Sequence, residues 1–336
     1  MLRDSLPQQA SAQNMRLALA QNAILGEGLQ WNSAQSKWWW TDIDAATVHA
    51  WSPGNQQVLN YRLPDRVGSF AHCRSGRLLL GLSKRLGFAT VPEIPANGMI
   101  GVQNLAVQAL VAVDPAESRT RINDGRTDRR GFFVFGTFNE ATEKRSIASF
   151  YQYSLQYGLR RLALPAVAIA NSICFSLDGK TMYFTDTLTR RIQQCDYDAE
   201  SARVSHIRLF TQMDDPLAYP DGSVVDKNGC LWNAQWGAAS IVQYSPAGEL
   251  IQRIHVPVKN PTCPAFGGVN SDQLMVTTSR KDMSAKELAS MPAAGSLFSL
   301  QLDDRIGIED SLFDDSSEAM SIISTKTKTK TKARQS

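Results

Sequence analysis

Residues 170–198 read ANSICFSLDGKTMYFTDTLTRRIQQCDYD, and this stretch decides the fold. An apolar run after Asn171 meets the polar turn Asp178-Gly179, a second run begins at Met182, and a third follows in RIQQCDYD. A Gly-bearing turn between two short apolar runs is a hairpin signal. The piece therefore reads as three successive antiparallel strands.

Working outward, the same layout recurs. Second-strand runs WWWTDI, LLLGLS, FVFGTF, MYFTDT, LWNAQW and LMVTTS begin at Trp38, Leu78, Phe133, Met182, Leu231 and Leu274. Gly-bearing turns precede most of them at Ser75-Gly76, Arg130-Gly131, Asp178-Gly179 and Asn228-Gly229. Third strands follow in TVHAWSP and SIVQYSP, and helical patterns are scarce between Gly26 and Leu300. Three or four strands per unit, repeated six times at 40 to 55 residues, predict an all-β, six-bladed β-propeller over 14–302. A β-sandwich would not explain the matched spacing, and a doubly wound α/β fold would need amphipathic helices. The segment around 14–25 is expected to close the ring on the last blade. Residues 1–13 are expected to be a flexible N-terminus, and 303–336, acidic and then low-complexity basic, a disordered tail with at most a short amphipathic helix around Ile306–Phe313.

Four polar residues hold one place in this repeat. Glu27, Asn123, Asn171 and Asp221 precede Trp38, Phe133, Met182 and Leu231 by 11, 10, 11 and 10 positions. Singly, each has a plain explanation: a solvated turn carboxylate, a strand-start Asn bonded to backbone, a Pro-Asp-Gly turn. A shared repeat position instead sends all four to the channel mouth. The other two units carry Val67 or Gly68 and Thr262 or Cys263 there. An oxygen-rich set suits Ca2+, Mg2+ or Mn2+, with Zn2+ or Fe2+ not excluded.

Composition sets limits. Of 336 residues, 43% are hydrophobic and 20% charged, as in an ordinary soluble protein. The net charge of +3 rests on five basic residues between Lys326 and Arg334, without which the body carries about −2, so no basic field for nucleic acid remains. The five cysteines form no C-x-x-C pair, which fits buried thiols in a reducing compartment. No eighteen-residue apolar run or leader pattern is present, so no membrane partner and a cytoplasmic location are expected. The four histidines lack metal-ligand spacing, and neither G-x-S-x-G nor H-E-x-x-H occurs. Covalent serine or cysteine catalysis is thereby disfavoured.

The passages LGEGLQWN, SRTRINDGRTDRRGFFVFGTFNE, ANSICFSLDGKTMYFTDTLTRRIQQCDYD, YPDGSVVDKNGCLWNAQWG and NPTCPAFGG resemble, in order, the senescence-marker-protein/gluconolactonase/luciferin-regenerating-enzyme family. The resemblance spans about Ile24 to Leu300. It implies a six-bladed propeller with one divalent cation held by Glu27, Asn171 and Asp221, and substrate oxygens met by Arg121 and Asn123. It implies hydrolysis of a sugar lactone, with L-arabinonolactone and D-gluconolactone the first substrates to try; the mechanism expected from these residues is attack by water at the cation with Asp221 as general base. Glu140 is a further candidate for substrate contact. Where the family reads G-E-G-P and P-N-G, this chain has Leu29 and Ala170-Asn171-Ser172, which touches loop rigidity. Asp42 and Asp186, at matching strand ends, read as caps or as supports behind the ligands. Trp38-Trp39-Trp40 reads as strand packing, and Cys263 as a buried small group. The alternatives are a propeller esterase or organophosphate hydrolase and a non-catalytic Ca2+-binding regulatory propeller. The expected partner is the small-molecule lactone, with the protein a monomer or weak dimer.

Overall fold

The computed structural model describes residues 14–92 and 101–316. Six antiparallel sheets form the blades of a β-propeller. Their inner strands are Gly26–Asn32, Val67–His72, Thr120–Thr127, Ala170–Phe175, Tyr219–Val225 and Pro261–Gly267. The second strands are the apolar runs of the repeat, from Lys37–Asp42 to Gln273–Thr278. Each blade lies between two neighbours, so both faces of its central strands are buried and the runs are continuously apolar rather than alternating. The tryptophan run makes the point. Trp38 and Trp40 pack with Cys263, Met275 and Leu297 of blade 6, whereas Trp39 faces Phe70 and Leu80 of blade 2. Six apolar clusters fill the six blade-to-blade interfaces.

The ring is closed by Arg16–Leu19, which pairs with Leu297–Gln301 as the outermost strand of blade 6. Between its third and fourth strands, blade 2 sends out Gln103–Asn104, which runs parallel to Tyr61–Arg62 of blade 1. The sequence pattern gave no sign of this excursion. Among the described residues the α-helix is Ala285–Ser290, begun by a capping box between Ser284 and Glu287. None is long and apolar enough to cross a membrane.

The chain end departs from expectation. The 1–13 and 317–336 segments lie outside the described residues, but 303–316 is laid against the propeller and is not helical around Ile306–Phe313. Phe313 is fully buried in the cluster between blades 2 and 3, stacked on Tyr153. Asp315 accepts from Ser75 N at 3.0 Å and from Arg77 Nη2 at 2.7 Å. A buried aromatic, ion pairs to Arg77 and Arg126 and backbone hydrogen bonds to the blades hold a segment whose acidic composition alone suggested disorder.

Every inner strand carries a register shift near its start: between Glu27 and Gln30, Val67 and Ser69, Ile122 and Gly125, Asn171 and Cys174, Pro220 and Ser223, Pro261 and Pro264. A bulge bends the strand and re-aims the side chains beside it. The repeat position is therefore a bulge position, at one mouth of the channel.

Candidate functional site

Glu27, Arg121, Asn123, Asn171 and Asp221 line one cavity of about 270 Å3 at that mouth, with Phe138, Thr187, Tyr219, Trp236 and Lys281 among its walls. All five are buried, and Arg121 is only 2% exposed. The remaining repeat positions do other work. Gly68 brings blade 2 so close to blade 3 that a Cβ there would sit 2.2 Å from the Ile122 carbonyl oxygen. Thr262 Oγ1 donates to the Gly26 carbonyl at 2.6 Å, tying blade 6 to blade 1. Cys263 is buried, which pushes its thiol well up and leaves no thiolate for attack.

Hydrogen bonds run across the site in one direction. Arg121 Nη1 donates to Asn123 Oδ1 at 2.7 Å, Asn123 Nδ2 to Asn171 Oδ1 at 2.9 Å, and Asn171 Nδ2 to Thr187 Oγ1 at 2.9 Å. Thr187 Oγ1 then donates to the Pro220 carbonyl at 3.0 Å, next to Asp221. This chain fixes both carboxamides with their oxygens on defined sides. Ser172, where the family resemblance expects glycine, holds φ +59°. Its Oγ donates to the Asp221 carbonyl at 2.6 Å, a bond glycine lacks, so blade 4 fastens the Asp221 backbone of blade 5. Gly28, the residue after Glu27, has φ +60°.

Asp42 and Asp186 play matched parts. Asp42 accepts from Ile24 N at 2.8 Å and Leu25 N at 3.1 Å, and Asp186 from Ala168 N at 2.9 Å and Ile169 N at 3.2 Å. Each caps the approach to an inner strand, two or three residues before Glu27 or Asn171, and neither is among the cavity walls.

Electrostatics set this place apart. Burial pushes the Glu27 carboxyl well above the carboxylate range, with nearby Asp124 adding to the effect. Burial also raises Asp221, and Glu27 adds to it; the two carboxyl groups share a hydrogen bond. Two acids this close and this dry cannot both ionise without added positive charge. Arg121 faces Glu140, whose Oε1 lies 3.3 Å from Arg121 Nε, but that N–H makes no hydrogen bond. Glu140 itself is outside the cavity wall, clasped by Arg66 through bonds of 2.6 and 2.7 Å.

Among the described residues no three of His, Cys, Asp and Glu gather as ligands. The donor set is instead two carboxylates and a carboxamide, all oxygen, with a deficit of positive charge between the acids. That combination fits a hard divalent cation. Asp124 was missed by the sequence reading. It is half-buried on the strand of Asn123, and its Oδ2 accepts from Ile173 N at 2.8 Å. Its only signal was the N-D-G triplet, which reads as an ordinary turn.

Residues 25–280 match the family profile described as SMP-30/Gluconolactonase/LRE-like region. The chain belongs to that family. An L-arabinolactonase of Azospirillum brasilense is 39% identical over 279 residues, covering 82% of this chain and 88% of its own. A 6-deoxy-6-sulfogluconolactonase of Pseudomonas putida is 26% identical, covering 87% and 96%. Among solved structures, a calcium-binding protein, regucalcin, from Agrobacterium tumefaciens superposes with a TM-score of 0.79 at 26% identity, covering 90% of this chain and 99% of its own.

Proposed function

We propose that this family member hydrolyses a sugar lactone to the aldonic acid, using a divalent cation held by Glu27, Asn171 and Asp221. The carrying observation is that the acid pair and the Arg121–Asn123 arm line one small cavity. The lactonase relatives support the reaction, with L-arabinonolactone the first substrate to test and D-gluconolactone the second. A cation bound there supplies Lewis acidity toward the lactone carbonyl.

The chain's own groups do the rest. Arg121, a wall of the cavity, brings the positive charge of its guanidinium to a substrate oxygen there. Asn123 is held by Arg121 and orients the ring alongside it. Phe138, over which the Arg121 guanidinium lies at 4.7 Å, closes one side of the cavity against water. Asp221 takes a proton from the attacking water at its carboxylate and returns it to the departing ring oxygen.

The regucalcin likeness favours a second reading, a calcium-binding protein without turnover. Arg121 and Asn123 argue against it, since a cation buffer needs no donors aimed across the same cavity. A pH-indicator assay of acid release from the two aldonolactones, with and without added cations, separates the readings. Release that depends on cation and falls at least a hundredfold in Asp221→Asn supports the proposal. Wild-type protein that binds cation and releases no acid from either lactone would overturn it.

A further inference from the structure

The mechanism leaves one buried cation unused. Arg126 sits on the inner strand of blade 3, three residues beyond Asn123 and past the bulge, thus at most about 10 Å further down the channel. Its Nη1 meets Asp310 Oδ1 at 2.5 Å, and only 12% of its side chain is exposed. Asp310 belongs to the strap 303–316 that follows blade 6. That strap is fastened at the channel end opposite the cavity, on the turns between inner and second strands. The Ile306 carbonyl accepts from Lys227 N of blade 5 at 2.8 Å, and Gly307 N donates to the Ser271 carbonyl of blade 6 at 3.0 Å. Further on, Phe313 N donates to the His72 carbonyl of blade 2 at 2.8 Å, and Asp314 N to the Gly131 carbonyl of blade 3 at 3.0 Å. Blades 5 and 2 face each other across the ring, as do 6 and 3, so the strap crosses the channel axis and delivers Asp310 beneath it.

A column of charge results. Glu27 and Asp221 stand at the top, Asp124 below them on the same strand as Arg126, then Arg126, then Asp310. Asp124 and Asp310 both act on the Arg126 charge, and Asp124 acts in turn on Glu27 and Asp221. The other nearby guanidinium, Arg129, is turned away onto the carbonyls of Phe175 and Ser176.

We propose that Asp310 is a positioning residue for the cation site: by pairing with Arg126 it draws that positive charge down the channel and leaves the acids above it uncompensated for a divalent cation. The strap is thus an electrostatic part of the site at the far mouth. This rests on the cation reading given above. Losing Asp310 frees Arg126 to offset Asp124, and cation affinity falls. Losing Arg126 does the reverse.

The test is calorimetric titration of the full chain with Ca2+ and, separately, Mn2+, at one pH and ionic strength. For a unit charge near 10 Å from a divalent ion, screening between protein and water predicts about a three- to tenfold change in Kd. Arg126→Gln should tighten binding by that factor, Asp310→Asn, further from the site, should weaken it toward the lower end of that range, and the double variant should return to within about twofold of wild type. Asp315→Asn loosens the strap at its end without altering the column, so it should lower the melting temperature and leave Kd unchanged. Wild-type binding with the same Kd in Asp310→Asn and Arg126→Gln would overturn the role of Asp310 alone. Wild-type protein that takes up neither ion would overturn the cation reading and this proposal together.

Discussion

With divalent cations removed by a chelator, raising the pH from 6.5 to 8 is expected to destabilise the protein. The sign follows from proton counts. Burial and Asp124 push Glu27 from 4.5 up to about 8, and Asp221 is raised as well. Between the unfolded and folded values, the folded state holds more protons than the unfolded one. Stability then falls with pH at about 1.4 kcal/mol per unit for each such proton. Two histidines oppose this at lower pH. Burial lowers His49 and brings His72 down to about 4, so both bind a proton more readily when unfolded. The His72 contribution rises with pH between about 4 and 6.5 and is complete above that, and His49 acts in the same direction.

The opposed slopes offset each other at mildly acidic pH and leave a net fall confined to the window from about 6.5 to 8. One proton over that window is worth about 2 kcal/mol, and Asp221, raised as well, adds in the same direction. Urea unfolding at half-unit pH steps in chelator measures the profile directly. Saturating Ca2+ at pH 8 should restore the loss by mass action, since the ion replaces the missing protons. Glu27→Gln should cut the decline by at least half. A flat or rising profile from 6.5 to 8 in chelator, or an unchanged decline in Glu27→Gln, would refute the reasoning.

Two further outcomes follow from the packing. Phe313→Ala opens a hole between Tyr153 and Phe88 and should cost about 3–5 kcal/mol of stability by chemical denaturation, a loss no disordered tail could cause. Ser172→Ala keeps the left-handed backbone but loses the bond to the Asp221 carbonyl, so a cost of about 1–3 kcal/mol is expected. Ser172→Gly relieves the backbone and should be the more stable of the two, with both showing reduced lactone turnover.

The blades were legible because each is apolar on both faces, which writes the second strand as an unbroken run such as WWW or LLL. The convergence of Glu27, Asn123, Asn171 and Asp221 was legible because a bulge recurs at one place in each inner strand, and a constant offset marks it. Asp124 was hidden by its neighbours, since a carboxylate inside N-D-G looks like a turn until the bulge is known. The strap was hidden for another reason. Its anchors are long-range: Phe313 fills a gap made by blades 2 and 3, and Asp310 and Asp315 meet arginines some 180 and 240 residues earlier. No local pattern carries such contacts. The excursion of blade 2 onto blade 1 rests on a two-residue strand, too short to show a period.

The acid pair raises a question that the ring itself answers: what holds two mutually repelling groups in place? A belt of contacts joins neighbouring blades at the level of the bulges. Thr41 Oγ1 donates to the Val67 carbonyl at 3.0 Å between blades 1 and 2, and Asn123 Nδ2 to the Ala170 carbonyl at 3.0 Å between blades 3 and 4. Ser172 reaches Asp221 between blades 4 and 5, and Thr262 reaches Gly26 between 6 and 1. At the two remaining junctions glycine takes over, Gly68 against the Ile122 carbonyl and Gly222 against that of Thr262, where a Cβ would come within 2.8 Å or less. The backbone beside Glu27, Asn171 and Asp221 is thereby fixed by a neighbouring blade. Because the belt sets the spacing before any ion arrives, the repulsion between Glu27 and Asp221 cannot relax by separation. Burial, with the Asp124 charge adding at Glu27 and the Glu27 charge adding at Asp221, keeps both carboxyls raised, a state that a cation between them would relieve.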